Sequence, residues 1–201
     1  KKKFFFFNDL KLKKKLQTSP KKKINLIVSK SGNTLETISS VNILIKKNDK
    51  NIFITENRKS YLFLLAKKLK AEIIEHNNFI GGRFSVMSEV GMLPSELMGL
   101  NTKKFKQMNN LIKNVKFINS LISSVSSTLY FLKQKKFNSI ILNYDEKSLN
   151  FFKWYQQLIA ESLGKKGNGI LPTISSMPKD NHSLMQLYLD GPRNNFFTFF
   201  Y

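Results

Sequence analysis

The stretch SKSGNTLET, Ser29 to Thr37, places several hydroxyl groups and a glycine between an apolar run and an amphipathic segment. At a helix N-terminus, unpaired backbone N–H groups and a partial positive charge favour an anion. Ser29, Ser31 and Thr34 can add neutral donors, while Gly32 permits a tight backbone. The pattern suits a site for a phosphate monoester, and the alternative interpretation is a Ser/Thr-rich turn with a helix cap.

Three other residues have side chains suited to acid–base or electrostatic chemistry. Glu161 carries a carboxylate, which can act as a general base, although only the motif around it, described below, singles it out. Arg83 follows two glycines and can stabilise a developing negative charge, and His182 has an imidazole, which can serve as a general acid or base. Taken without context, each could instead be an ordinary surface residue. His76 follows an apolar run, and we interpret it as structural or surface.

Short apolar runs alternate with amphipathic segments along most of the chain. The runs predict buried strands at residues 3–7, 24–28, 51–54, 71–75 and 138–143, and the segments predict helices at 34–46, 59–69, 101–134 and 146–163. This alternation is typical of an α/β fold with a doubly wound, mostly parallel sheet. Ligands of such sheets lie beyond the carboxyl ends of the strands, so the loops after residues 28, 75 and 143 are favoured as sites.

The amino-acid composition of the chain changes from residue 165 onward. Residues 165–183 are rich in Gly, Pro, Ser and Asn, which predicts an irregular loop, and a short helix is predicted at about 182–190. The final FFTFFY, residues 196–201, is typical of a strand but has no partner after it. We expect it to belong to a sheet that this sequence does not complete.

Composition narrows the functional classes. A chain of 201 residues with 41% hydrophobic residues can bury a core, and the lack of cysteine excludes disulfides and thiolate metal sites. No apolar run approaches the roughly 20 residues of a membrane span, so we expect a cytoplasmic protein without membrane contact. The net charge of +21 is spread along the chain and comes almost entirely from lysine. Arginine is favoured for reading base edges, so a nucleic-acid partner is not expected.

Three ordered stretches resemble one known family. SKSGNTLET resembles the phosphate loop of sugar-isomerase (SIS) domains, and IGGRFSVMSEVGMLP, Ile80 to Pro94, resembles a Gly-Gly-Arg signature of the glucose-6-phosphate isomerase family. WYQQLIAESLGKK, Trp154 to Lys166, with the later DNHS, is similar to that family's Gln/Glu helix and Asp-x-His-Ser segment. The resemblance implies a SIS-type, flavodoxin-like three-layer sandwich with a C-terminal helix-loop-helix extension. It also implies aldose–ketose isomerisation through an enediolate.

The resemblance also implies a role for each matching residue. Glu161 would be the base, Arg83 would stabilise the enediolate and His182 would open the sugar ring, and Gly82 and Gln157 would contact substrate. The phosphate would be held by Ser29, Lys30, Ser31, Thr34 and Thr37, with Lys30 acting through its backbone N–H. Glu36 is interpreted as a helix N-terminal residue and Glu89 is left unassigned. The chemistry implied needs no cofactor and no metal.

The organisation implied is that of part of a longer enzyme. Residues 1–145 would form a SIS phosphosugar-binding domain, and residues 146–201 would carry the catalytic helix and loop into an incomplete second SIS domain. The family's Gly-Gly-Ser loop would precede Lys1 and its catalytic lysine would follow Tyr201, so weak or absent activity is expected from this chain alone. The family further implies a homodimer, with His182 donated across the interface.

Two other functions remain open from the sequence. A non-catalytic SIS module that binds a phosphosugar would share the phosphate loop without needing Glu161, Arg83 and His182. A basic nucleic-acid-binding domain would need a clustered basic face and exposed stacking aromatics.

Overall fold

Two three-stranded parallel sheets are each built around one strand that is buried along nearly its whole length. The central strands are β2 (Lys50–Thr55) and β4 (Asn138–Asn143), and five of the six residues in each are buried. A strand covered on both faces carries a continuous apolar run, which is why the sequence predicts these two. The computed structural model describes residues 4–7 and 23–201. The chain divides into two units between Lys106 and Gln107, with one sheet in each.

The first unit has the strand order β1-β2-β3, where β1 is Ile24–Val28 and β3 is Glu72–Glu75. Because parallel neighbours need a crossover, helices α1 (Leu35–Leu44) and α2 (Tyr61–Leu69) connect them. Buried side chains from both helices and two of the strands form the core: Ile27, Val41, Phe53, Leu62 and Ala66. After β3 come a 3-10 helix (Gly82–Met87) and α3 (Glu89–Leu97). A second 3-10 helix, Thr102–Met108, extends across the division between the units.

The second unit has the strand order β5-β4-β6, where β5 is Leu171–Ser176 and β6 is Asn195–Phe200. Its helices are α4 (Asn109–Ile112), α5 (Val115–Lys133), α6 (Leu149–Leu163), α7 (Asp180–Ser183) and α8 (Met185–Asp190), with a 3-10 helix at Glu146–Ser148. Ile140, Leu142 and Met177 form a buried cluster on which α8 packs. Phe152 of α6 meets Phe200 of β6 edge to face, with ring centroids 4.9 Å apart.

The predicted parallel α/β class is confirmed, and four of the predicted strands form within one residue of the predicted ends. The predicted helices at 34–46, 59–69 and 146–163 also form, each somewhat shorter. The long helix predicted at 101–134 is interrupted. A 3-10 helix and α4 precede a break at Lys113 and Asn114, where the Asn114 side chain accepts from Phe117 N at 3.2 Å and starts α5.

Two expectations about the strands were wrong in detail. The predicted strand at 3–7 is not formed over the described residues 4–7, whose phenylalanines are exposed and which join neither sheet. The predicted loop at 165–183 contains β5, because backbone pairing with β4 overrides the weak strand propensity of its proline. The final apolar run forms β6 and belongs to a sheet, as expected, where it pairs in parallel with the earlier strand β4; that the sequence does not complete this sheet stays a prediction.

The division between Lys106 and Gln107 follows backbone contacts. The domain boundary predicted at residue 145 stays a prediction. Across the described ranges 4–7 and 23–201, none of the helices combines the length and apolar character that crossing a membrane requires.

Replacement of Phe53 should strongly destabilise the first unit. Its side chain is 0% exposed at the centre of the β2 core, so Phe53→Ala leaves a cavity and should cost about 3–5 kcal/mol. Phe79→Ala is the matched control, because Phe79 is 91% exposed and should change stability by no more than about 0.5 kcal/mol. Urea denaturation followed by circular dichroism measures both. Equal midpoints for the two variants would contradict this core.

Candidate functional site

The loop after β1 leaves the N-terminus of α1 without a side-chain cap. Ser29 is buried and its Oγ lies 2.9 Å from Thr34 Oγ1, so these hydroxyls bond to each other. Thr34 is the N-cap residue by position, yet its side chain makes no capping hydrogen bond. The first backbone N–H groups of α1 are therefore not satisfied by a cap, which is the arrangement an anion requires.

Gly32 shapes this loop through its backbone conformation and its close packing. Its φ is +65°, and a Cβ atom there would lie 2.1 Å from Ser60 Oγ at the start of α2. Leu62 N donates to Gly32 O at 3.0 Å, and Tyr61 N donates to the Asn33 side-chain carbonyl at 2.9 Å. The loop is thus fixed against the N-terminus of α2, and a side chain at position 32 would displace it.

The Lys30 side chain joins this loop to the turn that leads to Arg83. Its Nζ donates to Asn78 O at 2.9 Å and to Ile80 O at 2.7 Å, and lies 3.5 Å from a Glu56 carboxylate oxygen. Glu56 is buried and also pairs with Arg58 Nε at 2.7 Å. The lysine ammonium is thus engaged within the protein, which leaves its backbone as the part available to a ligand at this loop.

Arg83 is the second residue of the 3-10 helix, which begins at the second glycine of the pair, Gly82. Its guanidinium lies over the Phe84 ring, 4.7 Å from the ring centroid. The turn is closed by Phe84 N donating to Gly81 O at 2.9 Å and by Ser85 Oγ donating to Gly82 O at 2.6 Å. Gly82 has open space where a Cβ would stand, so a ligand can approach its backbone.

A polar cleft opens at the carboxyl ends of β2 and β3, close to the Lys30 contacts. It has a volume of about 400 Å³ and is lined by Glu56, Asn57, Arg58, Glu75, His76 and Asn78. From the sequence, His76 was interpreted as a structural or a surface residue. It lines this cleft and is almost completely buried. Its position directly after a strand was visible in the sequence, but its contacts, which include Glu89, were not.

Glu161 and Gln157 lie on α6 of the second unit. Gln157 Nε2 donates to Glu161 Oε1 at 2.9 Å, so the amide orients the carboxylate, as their spacing of one helical turn allows. Both side chains are exposed. The helix itself is held by Phe152 and by Gln156 Nε2, which donates to Pro172 O at 2.9 Å.

His182 lies on α7 and is exposed, in a turn that Asp180 organises. The Asp180 carboxylate accepts from Ser176 N at 2.7 Å, Ser175 Oγ at 3.0 Å and Ser183 Oγ at 3.2 Å. Burial raises the pKa of Asp180, but these hydrogen bonds lower it further than burial raises it, so the pKa lies below its ordinary value. The carboxylate thereby ties the His182 turn to the end of β5.

The predicted site residues fall into two groups. The phosphate-loop residues, Gly82 and Arg83 lie in the first unit, where Lys30 connects the two loops. Thr37 lies on α1 and Glu36 in its first turn, as the sequence indicated. Gln157, Glu161 and His182 lie in the second unit. Within the described part of the chain, no group of three His, Asp or Glu side chains is arranged to hold a metal ion.

Alanine at position 32 should disrupt the phosphate loop by more than the backbone strain of placing a non-glycine residue in the left-handed conformation. Gly32→Ala adds both the backbone strain of about 1–2 kcal/mol and a clash with Ser60. Gly99→Ala is the matched control, because Gly99 has φ +83° but open space for a Cβ. Binding of inorganic phosphate measured by calorimetry should be lost in the first variant and kept in the second. Retained binding in Gly32→Ala would contradict this loop geometry.

Asp180 should contribute a pH-dependent part of the stability of the second unit. Because its folded-state pKa is below the ordinary 3.8, its contribution is complete above the unfolded-state value and is lost as pH falls through the folded-state value. Asp180→Asn should therefore be less stable than wild type near neutral pH, and the difference should shrink below about pH 4. Urea denaturation of both proteins across this pH range measures the difference in stability. Because Asp49 and Asp145 are present in both proteins, their contributions cancel in that difference. A constant difference down to about pH 2 would contradict the assignment.

Comparison with known proteins identifies relatives over nearly the whole chain. The chain is 37% identical over 186 residues to the glucose-6-phosphate isomerase of Methanocaldococcus jannaschii, a match that covers 86% of this chain and 46% of the relative. It is 31% identical over 209 residues to the enzyme of that name from Campylobacter jejuni, covering 96% and 50%. It is 34% identical over 188 residues to that of Mycoplasmopsis pulmonis, covering 86% and 44%.

The fold has a solved counterpart, a hypothetical protein from Thermus thermophilus. The TM-score is 0.78 at 22% identity, over 98% of this chain and 52% of the other. No model of a known protein family matches the sequence. The chain spans about half the length of the curated relatives it matches. Over that half, it is a homologue of the glucose-6-phosphate isomerases.

Proposed function

We propose that this chain is part of an isomerase that interconverts glucose 6-phosphate and fructose 6-phosphate through an enediolate. The observation that carries the proposal is the similarity, over nearly the whole chain, to curated proteins of that name. The chain corresponds to about half of such a protein, so the activity is proposed for the longer enzyme.

The phosphate loop would hold the part of the substrate that does not react. Uncapped N–H groups of α1 and the hydroxyl groups of Ser29, Ser31, Thr34 and Thr37 supply neutral donors for a phosphate dianion. Thr37 would contribute from the first turn of the helix. Binding energy from this remote group positions the reacting carbons against the catalytic side chains.

The chemistry begins with ring opening. His182, exposed on α7, would donate a proton to the ring oxygen as the C1–O5 bond breaks and the O1 hydroxyl loses its proton. The result is an open-chain aldehyde with its carbonyl at C1. We propose that the histidine acts on the substrate of a second subunit, so that the working enzyme is a homodimer. Its exposure is compatible with such a role.

The proton transfer follows at C1 and C2. Glu161 would remove the C2 proton, and the electron pair of that bond moves toward the C1 oxygen to form the enediolate. Glu161 then returns the proton to C1, and the proton of the C2 hydroxyl moves to O1, which leaves the carbonyl at C2 and gives the ketose. The Gln157 amide, which donates to Glu161, would keep the carboxylate aimed. Arg83 would offer its guanidinium to the enediolate oxygens, where the negative charge develops.

A second candidate is a phosphosugar-binding module without catalysis. It is favoured by one observation: the phosphate loop, the glycine pair and the Lys30 contacts all lie within the first unit. This function would need none of the residues on α6 and α7.

The two candidates predict different binding of a stable enediolate mimic. We expect 5-phospho-D-arabinonate to bind this chain with a stoichiometry of one and more tightly than inorganic phosphate. Arg83→Ala should weaken the mimic roughly 10–100-fold, because a charge-assisted contact is lost, and should leave phosphate binding nearly unchanged. Calorimetric titration measures both ligands. Arg193→Ala is the control, since Arg193 is an exposed arginine of the second unit.

Two results would count against the isomerase. A mimic bound no more tightly than phosphate, and insensitive to Arg83, would leave only the phosphosugar-binding module. Loss of mimic binding in Arg193→Ala as well would indicate a general effect of charge. For the chain alone, we expect slow or no turnover. A rate near the roughly 10 s⁻¹ typical of enzymes would overturn that expectation.

A further inference from the structure

His76 is the buried titratable side chain that the proposed mechanism does not use. It follows β3 directly, is 1% exposed, and its backbone N–H donates to Thr55 O at 2.9 Å. Burying an imidazole so completely is unfavourable unless both of its ring nitrogens find partners. Both nitrogens do so here, and neither partner belongs to the core.

The two partners determine where the protons are. Nε2 lies 3.2 Å from Ile80 O, and a carbonyl oxygen can only accept, so Nε2 carries a hydrogen. Nδ1 contacts a carboxylate oxygen of Glu89, the first residue of α3. Two lone pairs at that contact would repel, so a second proton lies between Nδ1 and Glu89. The pair is therefore either imidazolium with carboxylate or neutral imidazole with carboxylic acid, and has no net charge in either form.

Ile80 O is a shared acceptor. It accepts from Lys30 Nζ at 2.7 Å on the side of the phosphate loop and from His76 Nε2 on the side of the sheet. Lys30 Nζ also donates to Asn78 O at 2.9 Å, and Ile80 N donates to Asn77 O at 3.1 Å. The carbonyl groups of the turn at residues 77–80 are thus held by the lysine, the histidine and the turn's own backbone.

This turn leads directly into the glycine pair and Arg83. Neither glycine has a positive φ, and their carbonyls accept from Phe84 N and Ser85 Oγ, so the segment from Gly81 to Ser85 is closed on itself. Its position depends on Ile80, which precedes the pair and whose carbonyl is the one that Lys30 and His76 bind. A catalytic guanidinium must be held closely, because a displacement of about 1 Å can cost a large part of the rate.

We propose that His76 is a positioning residue for Arg83. Acting through Ile80 O, and itself oriented by Glu89, it holds the 77–83 turn against Lys30 and so couples the phosphate loop to the arginine. This inference rests on the proposed function, because the arginine's target is the enediolate. If His76 has this role, its substitution should weaken binding of the enediolate mimic and leave binding of phosphate unchanged.

Two substitutions separate the two ring contacts. The side-chain amide of glutamine can approach the place of Nε2, so His76→Gln keeps a donor for Ile80 O and loses the contact with Glu89. The shorter amide of asparagine approaches the place of Nδ1, so His76→Asn keeps a donor for Glu89 and leaves Ile80 O with Lys30 alone. If His76 served only to anchor α3 through Glu89, His76→Gln would be the more damaging substitution. If it acts through Ile80 O, His76→Asn would be.

The experiment measures calorimetric binding and amide hydrogen exchange on wild type and both variants. We expect His76→Asn to weaken the binding of 5-phospho-D-arabinonate roughly tenfold and to change the affinity for inorganic phosphate by no more than about twofold. His76→Gln should bind both ligands about as tightly as wild type does. Exchange at the amides of Ile80 and Phe84, which close the turn, should be faster only in His76→Asn. Equal loss of both ligands, the reverse ranking, or unchanged exchange in His76→Asn would overturn the proposal.

Failure of the proposed function looks different. If wild type binds the mimic no more tightly than phosphate, the isomerase is overturned, and hydrogen exchange still decides whether His76 holds the turn. Nitrogen-15 NMR of the wild-type imidazole gives a test that needs no variant. Protonated Nε2 is expected, and a ring with an unprotonated Nε2 would overturn the contact on which the inference depends.

Discussion

Parallel strands bring their carboxyl ends to one edge of a sheet, and the polar residues that follow them must then satisfy one another. In the first unit those residues are Ser29 after β1, Glu56 after β2 and His76 after β3, and all three are buried. Backbone bonds continue the ladder past the strands, since Ser29 N donates to Ile54 O and His76 N to Thr55 O. A polar edge is thus built into the sheet, and the loops of the candidate site extend from it.

Charge at this edge is balanced within the first unit. Glu56 is 7% exposed, and a carboxylate so buried requires close positive partners, which Arg58 and Lys30 supply. Lys30 in turn forms an ion pair with that carboxylate and donates hydrogen bonds to two carbonyls of the 77–80 turn. One ammonium group therefore connects three loops. Substituting it would disturb all of them, so its side chain has a structural value independent of any ligand.

The second unit uses the same principle with a different carboxylate. Asn143 ends β4 and its side chain accepts from Asp145 N at 3.1 Å, while the Asp180 carboxylate binds the end of β5 through the Ser175 hydroxyl and the Ser176 backbone N–H. The turn that carries His182 is therefore attached to the sheet by hydrogen bonds to one charged group. Glu161 differs, since it lies on a helix, and its orientation comes from Gln157 one turn earlier and from the aromatic packing of Phe152.

The parallel α/β class follows from the sequence alone, because β2 and β4 are buried on both faces and carry apolar runs that local inspection detects. The local parts of the site follow from it as well: the serine-rich loop before α1, the Gly-Gly-Arg turn, and the Gln157–Glu161 spacing. Each of these depends on residues close together in the chain. Their chemical roles stay predictions.

Only the three-dimensional contacts decide which strands share a sheet. They also show that β5 forms and that β6 pairs with β4. Pairing energy comes from a neighbouring backbone, and local propensity does not reveal it. The same holds for His76. Its burial, its proton shared with Glu89 and its bond to Ile80 O arise because β3 ends beside the turn and α3 starts beside the ring. Those contacts depend on distances in space, which no local sequence pattern encodes.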